Sequence, residues 1–182
     1  MFKATIMELH IITRADHPQL DFIRDLYEST FPVQERRDWH QLLQLLEEPA
    51  MQLSVVMVEQ QAVGFVIAWK LGTWYFVEHL AIDPAQRGKN YGGRVMEAIL
   101  EAGRGRVILE VESVHDTNSL RRINFYERLG YAVVDLDYHQ PPYRKGDAEL
   151  QMHLMSRPAI EDETEARAIA GNIRATVYER YH

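Results

Sequence analysis

The run TWYFVEHLAIDPAQRGKNYGGRVMEAILEA, residues 73–102, constrains the fold more than any other stretch of the chain. From Thr73 to Ile82 the side chains read as a sheet strand, and Asp83-Pro84 closes it. Past that break, Val95, Met96, Ile99 and Leu100 recur at helical spacing, which predicts a helix from Asn90 to about Ala102 with Gly103 near its end. Another apolar strand, RVILEV at 106–111, follows. A helix joining two such strands is the mark of a parallel crossover. The linking turn QRGKNYGGR gathers glycines and basic residues at a helix start. Unpaired N–H groups and a partial positive charge there favour a pyrophosphate. Gly88, Gly92 and Gly93 let the backbone approach such a ligand, and Arg87, Lys89 and Arg94 add charge. The segment lacks the Gly-Lys-Ser/Thr ending of a P-loop.

The other segments read as a mixed α/β (α+β) chain. MELHIIT at 7–13 is a short strand, and 17–30 places Leu20, Ile23, Leu26 and Tyr27 on one helical stripe. Pro32 interrupts, and a second helix stops before Pro49. QLSVVMV at 52–58 and AVGFVIAWK at 62–70 are strands joined by a tight turn around Gln60, hence an antiparallel hairpin. After RVILEV, Asp116 or Thr117 caps a helix running to Leu129 and ending at Gly130. Residues 131–136 and 149–155 form a last strand pair around the loop YHQPPYRKGD. A charged helical pattern from Ala159 to Tyr181 closes the chain. The expected fold is a mostly antiparallel central sheet with helices on both faces and an extra C-terminal helix.

The 182 residues suit one well-buried domain. A formal net charge of -7 argues against general nucleic-acid binding. The absence of cysteine excludes disulfides, thiolate catalysis and cysteine-bound zinc, and no metal is expected. The N-terminal residues lack the apolar core of a signal peptide, and no run reaches the roughly 18 apolar residues of a membrane span. A soluble cytoplasmic protein, without membrane or nucleic-acid partners, is expected.

HLAIDPAQRGKNYGGRVMEAIL followed by NFYERLGY resembles the GNAT superfamily of acetyl-CoA-dependent N-acetyltransferases. The family's Gln/Arg-x-x-Gly-x-Gly/Ala falls on Arg87-Gly88-Lys89-Asn90-Tyr91-Gly92, with Asn90 in place of the middle glycine. Asparagine tolerates the left-handed conformation better than other side chains do. The resemblance spans about residues 7–156 and implies an acetyltransferase domain over 1–156. Residues 157–182 are then a helical extension, packing on the domain or on a partner subunit in a possible homodimer.

The resemblance also implies roles. The loop, Arg87 through Gly93, holds the pyrophosphate of acetyl-CoA, and main-chain groups of Leu80, Ala81 and Ile82 hold the pantetheine arm. Tyr126 sits where the family often has a tyrosine that protonates the departing thiolate. The asparagine common seven residues earlier is Ser119 here, and Asn118 is its neighbouring substitute. The attacking amine must lose a proton. Alternation along the strand puts Phe76, Glu78 and Leu80 on one face and Val77, His79 and Ala81 on the other. Glu78 is the first candidate base, and His79 or a water relay is the alternative. Acceptor binding falls to Glu35 in FPVQERR, to His79, and to Tyr138 and Tyr143 in the proline-stiffened loop. The expected reaction acetylates a small-molecule or amino-acid-like amine by direct attack. A non-catalytic acyl-CoA-binding module or a protein N-acetyltransferase is the alternative.

Overall fold

Alternating apolar side chains and helical stripes organise the chain into eight strands and five α-helices in the computed structural model, which describes residues 6–181. Residues 1–5 and 182, which fall within the two expected domain spans and include the start of the N-terminal run, lie outside the described residues. The strands form one mixed sheet in the order β1-β2-β3-β4-β5-β8-β6, with β7 paired to β8. The backbone divides into two compact units, Met1–Ala68 with Glu78–Ala98, and Trp69–Val77 with Ile99–His182.

The first unit contains β1 (Met7–Ile12), α1 (Leu20–Thr30), α2 (Trp39–Gln44) and β2 (Met51–Val58). It also holds most of β3 (Gln61–Leu71), the end of β4 (Trp74–Ile82) and the beginning of α3 (Tyr91–Ala102). β1 pairs antiparallel with β2 from Met7↔Val58 to Ile12↔Leu53. The predicted stripe of α1 is its buried face: Leu20, Ile23, Leu26 and Tyr27. Val55, Val56, Phe65 and Ile67 have no exposure at all. Each such burial contributes about 1.5–3 kcal/mol. The turn between β2 and β3 places both Glu59 and Gln60 at positive φ, 49° and 70°. Two left-handed residues in succession match the twist of a hairpin. Gly64 brings β3 close against β4: a methyl there would collide with the Ala81 carbonyl oxygen and come within 2.7 Å of the Ile82 side chain.

In the second unit β4 runs parallel to β5 (Val107–Glu112) from Tyr75↔Val107 to Val77↔Leu109. After α4 (Thr117–Arg128) come β6 (Ala132–Val133), β7 (Tyr138–Gln140), β8 (Leu150–Arg157) and α5 (Glu163–Ile173). β8 lies antiparallel to β5 from Val107↔Arg157 to Glu112↔Met152, and β6 and β7 both pair with it. The strand expected over 131–136 is therefore split. A tight turn in which the Leu136 N–H meets the Val134 carbonyl at 2.9 Å bends the chain within VDLD. The first residues of the predicted loop then rejoin the sheet.

The C-terminal segment belongs to this second unit. Asp162 caps α5 through the Glu165 N–H at 2.7 Å, as a helix start favours. Ala166, Ile169 and Ile173 are buried, and a π turn at Arg174–Tyr178 carries Val177 and Tyr178 inward as well. Ile160 and Ala168, also apolar in this segment, are not buried. Arg106 reaches Glu165 at 2.5 Å while lying 4.3 Å over the Trp74 ring, and Arg174 reaches Glu149 at 2.8 Å.

Candidate active site

β4 begins with Trp74 and Phe76 buried, then continues with Val77, His79 and Ala81 buried. The phase of burial slips by one residue between Phe76 and Val77, as it does at a bulge. Strict alternation put Glu78 and His79 on opposite faces, and this expectation is corrected: Glu78 Oε1 and His79 Nδ1 lie 4.0 Å apart, both enclosed.

Both side chains meet the segment between α1 and α2. Glu78 Oε1 lies 3.2 Å from Arg37 Nε, and the two side chains are each 1% exposed. Glu78 as a whole residue is only half-buried, so its remaining exposure is main chain. Leu80 and Ile82 are half-buried too, and Ala81 is buried. His79 packs edge-on against Tyr27 at 5.1 Å and Phe31 at 4.4 Å. Its Nε2 lies 2.9 Å from the Glu35 carbonyl oxygen. A carbonyl only accepts, so Nε2 carries the proton. Burial pushes the imidazole pKa below its ordinary value, although the Glu78 carboxylate opposes the shift. Glu35 is half-buried, and its main chain takes part in this contact. The Tyr27 hydroxyl accepts the Arg37 N–H at 2.9 Å. Burial, with the Glu78 charge added, raises the Tyr27 phenol pKa.

The glycine-rich turn follows. Asp83 accepts the Ala85 N–H at 2.9 Å and shapes the turn Pro84–Gln86, while Lys89 Nζ reaches Gln86 Oε1 at 2.7 Å. Arg87, Gly88, Lys89 and Asn90 are exposed; Tyr91 and Gly93 are buried, and Gly92 is half-buried. Gly88 has φ 81° and Asn90 φ 58°. Asn90 thus takes the left-handed conformation that glycine would take, immediately before α3. Its carbonyl accepts the Arg94 N–H at 3.2 Å to begin the helix.

In the second unit Tyr126 is 8% exposed, with Phe125 and Tyr131 edge-on at 5.0 and 6.0 Å. Burial raises its phenol pKa to about 12. Upstream, Asp116 is the cap of α4, and Ser119 completes a capping box: its N–H reaches Asp116 Oδ1 at 2.7 Å, and its Oγ accepts the Asp116 N–H at 3.0 Å. The serine standing in for the family asparagine is therefore occupied at the helix start, while Asn118 is exposed. Tyr138 and Tyr143 are 5% and 2% exposed and are engaged in packing. The Tyr138 hydroxyl donates to Glu110 Oε1, and the Tyr143 ring lies 5.1 Å from that of Tyr178. Glu110 Oε2 also accepts Gln140 Nε2 and the Tyr178 hydroxyl, each at 2.6 Å. Burial and this neighbouring carboxylate raise the Tyr138 pKa. Arg37 and Glu110 escaped the sequence reading because Arg37 lies in the charged run RRD, and Glu110 is an acidic position in the otherwise apolar strand RVILEV, which reads as its solvated side.

A profile of the acetyltransferase (GNAT) family matches residues 20–131, which takes in both the turn and Tyr126. The chain belongs to this family. GNAT proteins are acetyl-CoA-dependent acyltransferases, and the mixed sheet and helices described above are their fold. No curated protein sequence matches the chain. Among solved structures, a GNAT protein from Bacteroides thetaiotaomicron, assigned as an acetyltransferase, is 31% identical, with 94% of this chain and 98% of that one covered and a TM-score of 0.87. An aminoglycoside 6'-N-acetyltransferase complexed with coenzyme A is 17% identical over 86% and 98% of the two chains, with a TM-score of 0.61. A GNAT acetyltransferase from Elizabethkingia anophelis with acetyl-CoA bound is 13% identical over 83% and 97%, with a TM-score of 0.59. At these lower identities the last two show likeness of fold. Among the described residues no three His, Asp or Glu side chains stand together as a metal site requires, and no helix is long and apolar enough to cross a membrane.

Proposed function

We propose that this GNAT protein transfers the acetyl group of acetyl-CoA to the amine of a small-molecule or amino-acid-like acceptor by direct attack. The observation that carries the reading is the turn before α3, where Gly88 and Asn90 both hold positive φ and residues 87–90 are open to solvent. Residues in that conformation turn successive N–H groups toward one point, as an anion site requires. Arg87 through Gly93 would hold the pyrophosphate, with the charges of Arg87 and Lys89 beside it. The main chain exposed at Glu78, in a stretch where Leu80 and Ile82 are half-buried, fits an extended arm laid along the strand.

Acetyl-CoA supplies an activated thioester, and the chain supplies proton handling and orientation. Glu78 is the proposed base. Its side chain is enclosed with Arg37, so the proton reaches it along hydrogen bonds rather than by direct contact with the amine. Tyr126 is the proposed donor. A phenol at about 12 is fully protonated at neutral pH. A thiol ionises near roughly 8.5, so Tyr126 serves the departing sulfur by a hydrogen bond more than by giving up its proton. The cytoplasm is the location this reading implies.

Thiol release from acetyl-CoA, measured with spermidine, kanamycin, free amino acids and an alanine-initiated peptide, tests the proposal. Turnover of a small amine, slowed in Glu78→Gln and Tyr126→Phe with little change in coenzyme A affinity, is the expected result. Turnover of the peptide alone moves the assignment to protein acetylation. The enclosure of Glu78 favours one other reading, a non-catalytic acyl-CoA-binding module, which predicts binding of coenzyme A without any turnover.

A further inference from the structure

Arg37 carries no sequence signal, and the chemistry above does not use it, yet it is among the most enclosed large side chains of the protein at 1% exposure. Arginine stays charged in proteins, so enclosing it costs stability unless an anion accompanies it. Glu78 is that anion at 3.2 Å, equally enclosed. An apolar pair of the same volume would generally be no less stable, so packing alone does not call for this one.

The pair is also one of three fastenings on the same short run. The Arg37 N–H is held by the Tyr27 hydroxyl of α1 at 2.9 Å. The Glu35 carbonyl is held by His79 of β4 at 2.9 Å. Arg37 Nε meets Glu78 of β4. Residues 35–37 are thereby tied to α1 once and to β4 twice, next to the point where the strand bares its main chain. Around the Glu78 carboxylate stand Tyr27 from α1, Arg37 from the run itself and His79 from its own strand, while Arg36 lies 5.9 Å over the Tyr27 ring.

We propose that Arg37 is a positioning residue for the acetyl transfer: it orients the Glu78 carboxylate and fixes residues 35–37 against β4, so that the base and the wall of the acceptor site form one unit. The inference rests on the acetyltransferase reading above, with Glu78 as base.

The test compares Arg37→Met, Arg37→Lys, Glu78→Gln and the double variant Arg37→Met/Glu78→Gln. It uses thiol release with the amine panel named above and calorimetry with coenzyme A. Arg37→Met is expected to lower amine-dependent kcat by roughly thirtyfold, with coenzyme A affinity within about twofold of wild type, and the double variant to be no worse than Glu78→Gln alone, as residues acting in one unit behave. Arg37→Lys, which keeps the charge, is expected to regain most of the loss. Should Arg37→Met not fold, Arg37→Gln made in the wild-type protein and in the Glu78→Gln variant gives the same comparison: a kcat loss present only where Glu78 is intact supports the role, and an equal loss in both, or none in either, overturns it. Multiplicative losses in the double variant, or wild-type kcat in Arg37→Met, overturn it. Full turnover in Glu78→Gln defeats the base assignment itself, and a wild-type protein that binds coenzyme A but acetylates no amine defeats the enzymatic reading; both outcomes are distinct from a failure of Arg37.

Discussion

Asn90 Oδ1 occupies the space over Gly93: a methyl group on Gly93 would stand 2.5 Å from that oxygen, with Asn90 Cγ at 3.2 Å. The side chain at the substituted position of the family motif therefore folds back onto the first turn of α3, and it has room there because residue 93 is glycine. The two residues should behave as a pair. Gly93→Ala must displace the Asn90 side chain, whereas Gly93→Ala in an Asn90→Gly background meets no such obstacle. Coenzyme A affinity should fall by about tenfold, or 1.4 kcal/mol, in the single variant and recover in the double. Asn90→Ala, which puts a less tolerant residue at φ 58°, should cost about 1 kcal/mol of stability in urea unfolding.

A methyl on Gly64 would meet the movable end of the Ile82 side chain and, nearer still, the Ala81 carbonyl oxygen, which is main chain and does not yield. Gly64→Ala should destabilise the protein by about 2 kcal/mol or more, since overpacking moves main chain here. Calorimetry with coenzyme A should register a loss as well, because Ala81 and Ile82 lie on the stretch proposed to hold the pantetheine arm.

His79 is enclosed in its neutral form, with its pKa below the ordinary value of 6.5. A depressed histidine contributes stability above the unfolded-state pKa, and that contribution is lost as pH falls, because the unfolded chain takes up the proton first. Wild-type unfolding free energy should therefore fall on acidification from about pH 6.5 downward. Replacing the ring by phenylalanine should flatten that part of the profile, at the expense of the contact with the Glu35 carbonyl. A profile of equal slope in both proteins would contradict the buried neutral assignment.

Glu110 accepts from Tyr138, Gln140 and Tyr178, which belong to β7 and to the C-terminal segment of the second unit. Hydrogen bonds to a charged acceptor contribute roughly 1.5–3 kcal/mol each. Tyr178→Phe should accordingly lower stability by about that amount without altering coenzyme A affinity. Glu110→Gln, which leaves a weaker acceptor among three donors, should cost at least as much. Denaturant midpoints at unchanged m-value are the measurement.

Much of this arrangement was open to inspection in the sequence. The stripe Leu20, Ile23, Leu26 and Tyr27 sits where its spacing put it, because a single helical period governs it. The left-handed Asn90 followed from asparagine's own backbone tolerance. What alternation could not supply was the slip within β4, since both Phe76 and Val77 are apolar and either phase suits them. Nor could it show that Glu78 and His79, adjacent in the strand, both reach residues 35–37. Arg37 was invisible for a related reason: in a run of charges no local pattern distinguishes the one that a distant carboxylate draws inward. Tyr138 and Tyr143 read as recognition residues because they flank prolines in an apparent loop. Their partners, Glu110 and Tyr178, lie 28 and 35 positions away in the chain, and such contacts leave no periodic trace.

Tyr178, fully buried, closes over Glu110 from 68 positions further along the chain. A nascent polypeptide folds as it emerges, N-terminal parts first, at about 5–20 residues added per second. The strand carrying Glu110 is therefore synthesised several seconds before the tyrosine that covers it. Through that interval its acidic side chain has at most Tyr138 and Gln140 for donors. A nascent chain stalled anywhere between the two positions would hold the first unit in full and the second without its last donor. Cleavage by a protease during synthesis should accordingly fall on the second unit until Tyr178 has emerged.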